Sequence, residues 1–316
     1  MHIPDGVLDT RTWVSAWVGS AGMLGFAARE VRRHLSDSRV VLMAVLAALI
    51  FALQMLNFPV AGGTSGHFAG GAAAAIILGP WPAMVVMASV LAVQAFIFAD
   101  GGVTALGANM LTMAVVAPLL GWLVYRTFTA RSASRSARSA GAFAAGWVAC
   151  VASALLAALL LWVSGRVPLT AGLGAMGGWH ALIGIGEGGI TAGLVSYLAS
   201  VRPDLLAEDG GEARRQRLPV LVVLGAAALI AAGLSSFASG HPDGLEYVYD
   251  RIGVPFDATP IAGGLAPHYV LPGISNETLA GIIAGVIGVV VTGALAYAAL
   301  ASLKARRSAT REDAGA

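Results

Sequence analysis

The chain has 316 residues, of which 57% are hydrophobic and 11% charged, with a formal net charge of +2. A mean hydropathy of +0.79 excludes a soluble domain and predicts an all-α polytopic membrane bundle. Forty-one glycines suit helices that must approach closely without a hydrophobic drive between them. The lone Cys150 permits no intrachain disulfide and reads as a small packing residue.

The chain opens Met1-His2-Ile3-Pro4-Asp5-Gly6. A free amine followed at once by histidine can chelate. The Met1 amine, the His2 amide nitrogen and His2 Nδ1 close a five-membered and then a six-membered ring around one cation, leaving one position in the plane. Such nitrogen-rich square-planar geometry points to Ni(II) or Cu(II), with Co(II) a relative, and away from Mg or Ca, which prefer oxygen. The plain alternative is a surface histidine on a frayed terminus. No basic n-region precedes the first apolar run, so no cleavable signal peptide is expected. A bulky second residue also leads us to expect that the initiator methionine is retained.

Uncharged stretches near the ~20 residues that a bilayer needs predict nine spans, at 12–28, 40–57, 65–79, 82–99, 103–125, 141–164, 178–200, 218–237 and 278–303. Four joints hold basic clusters: Arg29, Arg32, Arg33 and Arg39; Arg126, Arg131, Arg135 and Arg138; Arg202, Arg214, Arg215 and Arg217; and Lys304, Arg306, Arg307 and Arg311. With nine spans and an external N-terminus every cluster falls on the cytoplasmic side, as the positive-inside rule requires. His2, His67, His180, His241 and His268 then share the external face, and only His34 lies inside.

Between the second and third spans, Asn57 to His67 is uncharged but rich in Gly and Pro. It is poor helix that can enter the membrane where it lines a cavity. The third span is short and ends at Pro80 and Pro82, the broken pattern of transporter binding sites. No Lys follows Gly66, so the nucleotide P-loop pattern fails. A membrane-embedded histidine is costly, which makes His67 the expected fourth ligand.

Asp100 and Asn109 flank the start of the fifth span, where they could orient the ligands or, for Asp100, cap the helix. The segment from Thr129 to Gly141 reads as a flexible cytoplasmic connector. Glu187 and His180 on the seventh span read as structural rather than metal-binding. His241 and His268 lie in a proline-rich, acidic external loop that either guides metal or caps the outer face. Trp13, Trp17, Trp81 and Trp179 read as interfacial anchors. Ala44, Ala48 and Ala52 form a smooth stripe suited to a tight helix contact, within this bundle or with a partner.

Met1-His2-Ile3-Pro4-Asp5-Gly6, Gly63-Thr64-Ser65-Gly66-His67, Asp100-Gly101-Gly102 with Gly107-Ala108-Asn109, and Gly184-Ile185-Gly186-Glu187 together resemble the CbiM/NikM family, the substrate-binding components of energy-coupling-factor cobalt and nickel importers. The resemblance covers about residues 1–200. Gly240-His241-Pro242-Asp243-Gly244-Leu245-Glu246 is similar to the signature of the two-span CbiN/NikN partner. The resemblance implies a fusion: a metal-binding membrane domain at 1–202, a cytoplasmic linker at 203–217, and a two-helix domain at 218–316 with its external loop at 238–277. It also implies metal held by Met1, His2 and His67, and no permanent cofactor, the ion being cargo. The implied partners are a transmembrane coupling component and two cytoplasmic ABC-type ATPases in the plasma membrane of a prokaryote, with no nucleic acid.

No nucleotide-binding signature is present, so energy for transport must come from partners. A secondary transporter or channel would carry more charge along its spans than the inner halves here provide. A metalloprotease would need a His-Glu-x-x-His motif, which does not occur. Nitrogen donors alone do not separate nickel from cobalt, although the square-planar preference leans to nickel.

Overall fold

In the computed structural model of the protein, residues 1–132, 134–201, 220–234, 238–254, 258–259, 261 and 263–313 are described. The chain's apolar runs become helices wherever a cap can start them. Asp9 accepts from Thr12 N to open α1 (Thr10–His34), whose last turn carries Arg32 and Arg33, cations that suit the negative end of the helix dipole. Ser36 caps α2 (Asp37–Gln54) in the same way.

The chain then leaves helical geometry. β1 (Asn57–Val60) and β2 (Thr64–His67) pair antiparallel, with Asn57 opposite His67. Gly62 and Gly63 make the turn at φ +98° and +93°, a region that only glycine enters cheaply. The short α3 (Gly71–Leu78) follows, almost wholly buried. Then come α4 (Pro80–Phe98), α5 (Leu106–Thr129) with a π-helical stretch at Met110–Val116, and the long pair α6 (Arg135–Val163) and α7 (Leu169–Val201). α8 (Val220–Leu234), α9 (Gly244–Ile252), a 3-10 turn at Pro267–Tyr269 and α10 (Glu277–Asp313) complete the order.

Among the described residues six helices are long and apolar enough to cross a membrane: Asp37–Gln54, Pro80–Phe98, Leu106–Thr129, Arg135–Val163, Leu169–Ser200 and Glu277–Arg306. The protein is a multi-pass membrane protein. The nine-span expectation needs correction at 65–79, which is a strand followed by the eight-residue α3. The expected spans at 12–28 and 218–237 fall on α1 and α8, which are outside those six. The expected linker 203–217, with Arg214, Arg215 and Arg217, lies outside the described residues, as does Arg202.

α6 packs along α7, and α10 lies against α2 and α8. Close approach depends on small residues: a Cβ on Gly121 would meet Ala72 Cβ at 2.6 Å. Ala44, Ala48 and Ala52 are buried inside this packing, so their stripe is occupied by the chain's own helices. The loop after α8 runs back over one end of the bundle. Ser65 N donates to Pro242 O at 2.9 Å, and Leu265 N and Ala266 N donate to Ile97 O. That end holds the N-terminus.

Candidate metal centre

The first nine residues are tied down by polar contacts from several elements. Asn109 reads both sides of Ile3: its Oδ1 accepts from Ile3 N at 2.8 Å and its Nδ2 donates to Ile3 O at 3.0 Å. Ile3 itself is fully buried. Asp5 Oδ1 accepts from Thr104 N and Oγ1, and its Oδ2 accepts from Ile261 N at 3.2 Å. Arg166 donates to the carbonyls of Val7 and Gly6 at 2.7 and 2.9 Å. Residues 1–9 form neither helix nor strand, and these side chains pair backbone groups of Ile3, Gly6 and Val7 that no ladder satisfies.

Held this way, the Met1 amine lies 3.1 Å from His67 Nε2. The His2 ring stacks on the His67 ring with centroids 5.2 Å apart and planes at 18°. Two acidic groups close the corner. The Met1 amine also donates to Asp243 Oδ2 in a short ion pair, and His2 Nδ1 lies 3.1 Å from Asp100 Oδ1. Asp243 does double duty, since its Oδ1 caps α9 by accepting from Leu245 N and Glu246 N at 2.8 and 3.0 Å.

Burial dominates the electrostatics. It pulls the His67 pKa down to about 3, assisted by the charge of the amino terminus and by His2. It also lowers His2, against the pull of Asp100. Both rings are therefore neutral near pH 7, as metal ligands must be. Burial alone would raise Asp100, but His2 and the Tyr269 hydroxyl outweigh it and hold the carboxyl below its usual range. Burial of Asp243 is likewise outweighed by the amino terminus, and its net shift is downward. Two carboxylates thus face an amine and two neutral rings.

The hairpin that presents His67 is braced from both sides. Ser65 Oγ donates to His241 O at 2.9 Å, and Tyr247 OH donates to Gly62 O at 2.6 Å. Gly66 cannot carry a side chain, because a Cβ would meet Ile183 Cγ2 at 2.5 Å. Beyond His67, Glu187 accepts from Ala69 N and Gly70 N at 2.7 and 3.0 Å, and Gln54 Nε2 donates to Ala69 O. A cavity of about 20 Å³, bounded by Met1, His67, Cys150 and His180 among others, lies beside the amine. It has room for about one water.

The structure brings Met1, His2 and His67 together. Asp100 and Asn109 stand next to them as orienting groups, and Asp100 does not cap α5, whose N-cap is Ala105. Glu187 has a structural task on the chain after His67. His180 bonds Met176 O through Nδ1 at 2.9 Å and lines the small cavity. The side chains of His241 and His268 are exposed, and His241 contributes to the site only through its carbonyl. Trp17 and Trp179 are packed into the site's rim, Trp17 Nε1 donating to Thr104 O and Trp179 lying edge-on to Tyr247. Among the described residues no three His, Cys, Asp or Glu side chains gather as a metal cluster. Sequence reasoning missed Asp243 as the amine's partner, Asp5 as an anchor, and Tyr269, which donates to Asp100 Oδ2 at 2.5 Å. Only the position of Asp243 within the Gly240–Glu246 signature gave any hint.

Residues 2–205 match the family described as CbiM, the cobalt uptake substrate-specific transmembrane region, and residues 217–305 match the PDGLE domain. The chain is 41% identical over 304 residues to a putative fused nickel transport protein NikMN of Archaeoglobus fulgidus, covering 94% of this chain and 97% of that one. It is 35% identical over 295 residues to the fused nickel transport protein NikMN of Rhodobacter capsulatus, covering 86% and 84%. A crystal structure of a transition metal transporter superposes with a TM-score of 0.59 at 31% identity, covering 68% of this chain and 100% of that one.

Proposed function

We propose, because this chain belongs to the CbiM family of cobalt uptake substrate-specific transmembrane regions and carries a PDGLE domain, that it is the substrate-capturing membrane subunit of an ATP-driven nickel or cobalt importer. The cargo ion is held in one plane by four nitrogens: the Met1 amine, the His2 amide and Nδ1, and His67 Nε2. The observation that carries this reading is the convergence of the amine on His67 Nε2 at 3.1 Å with the His2 ring stacked alongside. A single cation placed among them can replace the amine's present hydrogen bond. His67 already offers the correct nitrogen, since Nε2 accepts from the amine and its lone pair points into the corner.

The ligand set is neutral nitrogen plus one ionisable amide, which suits Ni(II) and Co(II) better than hard cations. Asp100 and Asp243 supply counter-charge without entering the plane. In this reading residues 1–202 form the capturing domain, 203–217 a cytoplasmic linker, and 218–316 a two-helix domain whose loop 238–277 covers the site. The N-terminus faces outward. A transmembrane coupling component and two cytoplasmic ATPases supply the energy, and the chain itself is not an enzyme.

The test is calorimetric titration of the purified protein with Ni(II) and with Co(II), paired with visible spectra of the loaded protein. A planar four-nitrogen spectrum that vanishes in His2→Ala and His67→Ala is expected. Oxygen-dominated coordination would overturn the site. Reconstitution of this chain alone gives the second arm: metal flux without ATPases would favour a secondary transporter or channel instead.

A further inference from the structure

Gln94 lies on α4 and is fully buried. Its Nε2 donates to Tyr269 OH at 3.3 Å, but its Oε1 has no partner. His2 Nε2 is also buried without a partner. Gln94, Tyr269, Asp100 and His2 follow one another in contact, and the Gln94 amide comes within hydrogen-bonding reach of the His2 ring. A buried orphan acceptor beside a buried orphan ring nitrogen is costly unless some state of the protein joins them.

Metal capture is such a state. Asp100 Oδ1 is 3.1 Å from His2 Nδ1; a carboxylate only accepts, so a neutral ring must place its N–H on Nδ1 to bond it. Nδ1 is also the nitrogen that the Met1–His2 chelate requires. Once a cation occupies Nδ1, the neutral ring carries its only N–H on Nε2. Histidine ligands almost always donate that second N–H to an acceptor, which sets the tautomer and the ring's orientation.

We infer that Gln94 is the positioning residue that receives His2 Nε2–H when metal binds, so that the ring exchanges its hydrogen bond to Asp100 for one to Gln94. Four residues make the exchange a closed circuit. Tyr269 donates to Asp100 Oδ2 at 2.5 Å and accepts from Gln94 Nε2, so one residue of the C-terminal part holds both alternative partners of His2. Tyr269 is itself wedged in, stacked on Phe98 at 4.8 Å. Its φ of +60° follows one of +53° at His268, conformations that non-glycine residues adopt only when their surroundings enforce them. The inference rests on the four-nitrogen site proposed above.

The experiment uses the full chain labelled with nitrogen-15 histidine and loaded with Ni(II), which is diamagnetic in square-planar coordination and leaves the ring signals observable. In the wild type, His2 is expected to show a metal-bound Nδ1 and a slowly exchanging Nε2–H. Gln94→Leu should lose that protected proton and weaken metal binding about 10- to 100-fold, with the planar spectrum retained. Gln94→Glu keeps an acceptor oxygen and should restore both, which also decides the matter if the leucine variant does not fold. Wild-type affinity and an unchanged Nε2–H signal in Gln94→Leu, or failure of Gln94→Glu to keep that signal, would overturn the role of Gln94 while leaving the metal site intact. If the wild type binds no nickel in a four-nitrogen plane, the site reading itself fails.

Discussion

Adding a single glycine before Met1 is the sharpest perturbation of the proposed centre. It turns the terminal amine into an amide, removing a ligand and also the cation that faces Asp243. The Met1 side of that pair is 6% exposed and the Asp243 side 21%, so the carboxylate is left largely buried and lacking its cation. Breaking a buried pair costs about 3–5 kcal/mol, which is roughly two to nearly four powers of ten at 1.4 kcal/mol per tenfold. Because Asp243 keeps its two backbone donors on α9, we expect the lower end. The extra residue also has nowhere to go, since the space beside Met1 is about 20 Å³. The segment must leave its seat and expose Ile3, Val7 and Leu8, now 0%, 3% and 7% exposed. Titration with Ni(II) should therefore show at least a 100-fold loss of affinity, while detergent-solubilised protein keeps its helical content. An extended protein that binds within threefold of the authentic one would refute the role of the amine.

Three further outcomes follow from the same packing. Gly102→Ala should undock the N-terminus, because the new Cβ would meet Asp5 N at 2.2 Å and Pro4 C at 2.6 Å; overpacking of this kind costs about 1–3 kcal/mol or more, read as weaker metal binding and faster proteolysis at residues 1–9. Glu187→Ala leaves the Ala69 and Gly70 amides without their acceptor, about 1–3 kcal/mol for each buried donor, and should lower the melting temperature whether or not metal is present. Acid should destabilise the metal-free protein: unfolded His67 takes up a proton near the ordinary imidazole value of 6.5, whereas the folded ring resists until about 3. Stability is thus lost as pH falls through that window, and a melting curve unchanged between pH 7 and 4.5 would count against the burial of His67.

Much of the fold was readable because membrane helices announce themselves by length and apolarity. The spans at 82–99, 103–125, 141–164, 178–200 and 278–303 each fall on a long helix. The misreading at 65–79 has a physical cause. Thr64 to Phe68 and the alanines of α3 are equally uncharged, and hydropathy does not distinguish a buried hairpin plus half-helix from a span. The meeting of Met1, His2 and His67 was legible because an amine followed at once by histidine can chelate by local covalent geometry alone. Its surroundings were not. Asn109 grips a residue 106 positions away, Tyr269 reaches Asp100 across 169, and Asp243 meets Met1 across 242; no periodicity carries such pairings.

Charge conservation at the corner links these distant residues to capture. The ammonium of Met1 pairs with the carboxylate of Asp243 and the His2 ring with that of Asp100, with both rings neutral. In the proposed centre, binding a divalent ion through the amine and the His2 amide would expel one proton from each, so that two positive charges enter as two leave. The buried corner keeps the same net charge and the carboxylates need not move or titrate, which matters where uncompensated charge is expensive. The released protons fix the sign of the pH dependence: affinity for Ni(II) should rise with pH around pH 6–7. His67, with its pKa near 3, adds nothing in that range. An affinity that did not change with pH would remove the His2 amide from the ligand set. Asp243→Asn keeps the shape but removes the partner of the Met1 ammonium, and should loosen the seat of residues 1–9, read as faster proteolysis there; protection equal to the wild type would count against the ion pair.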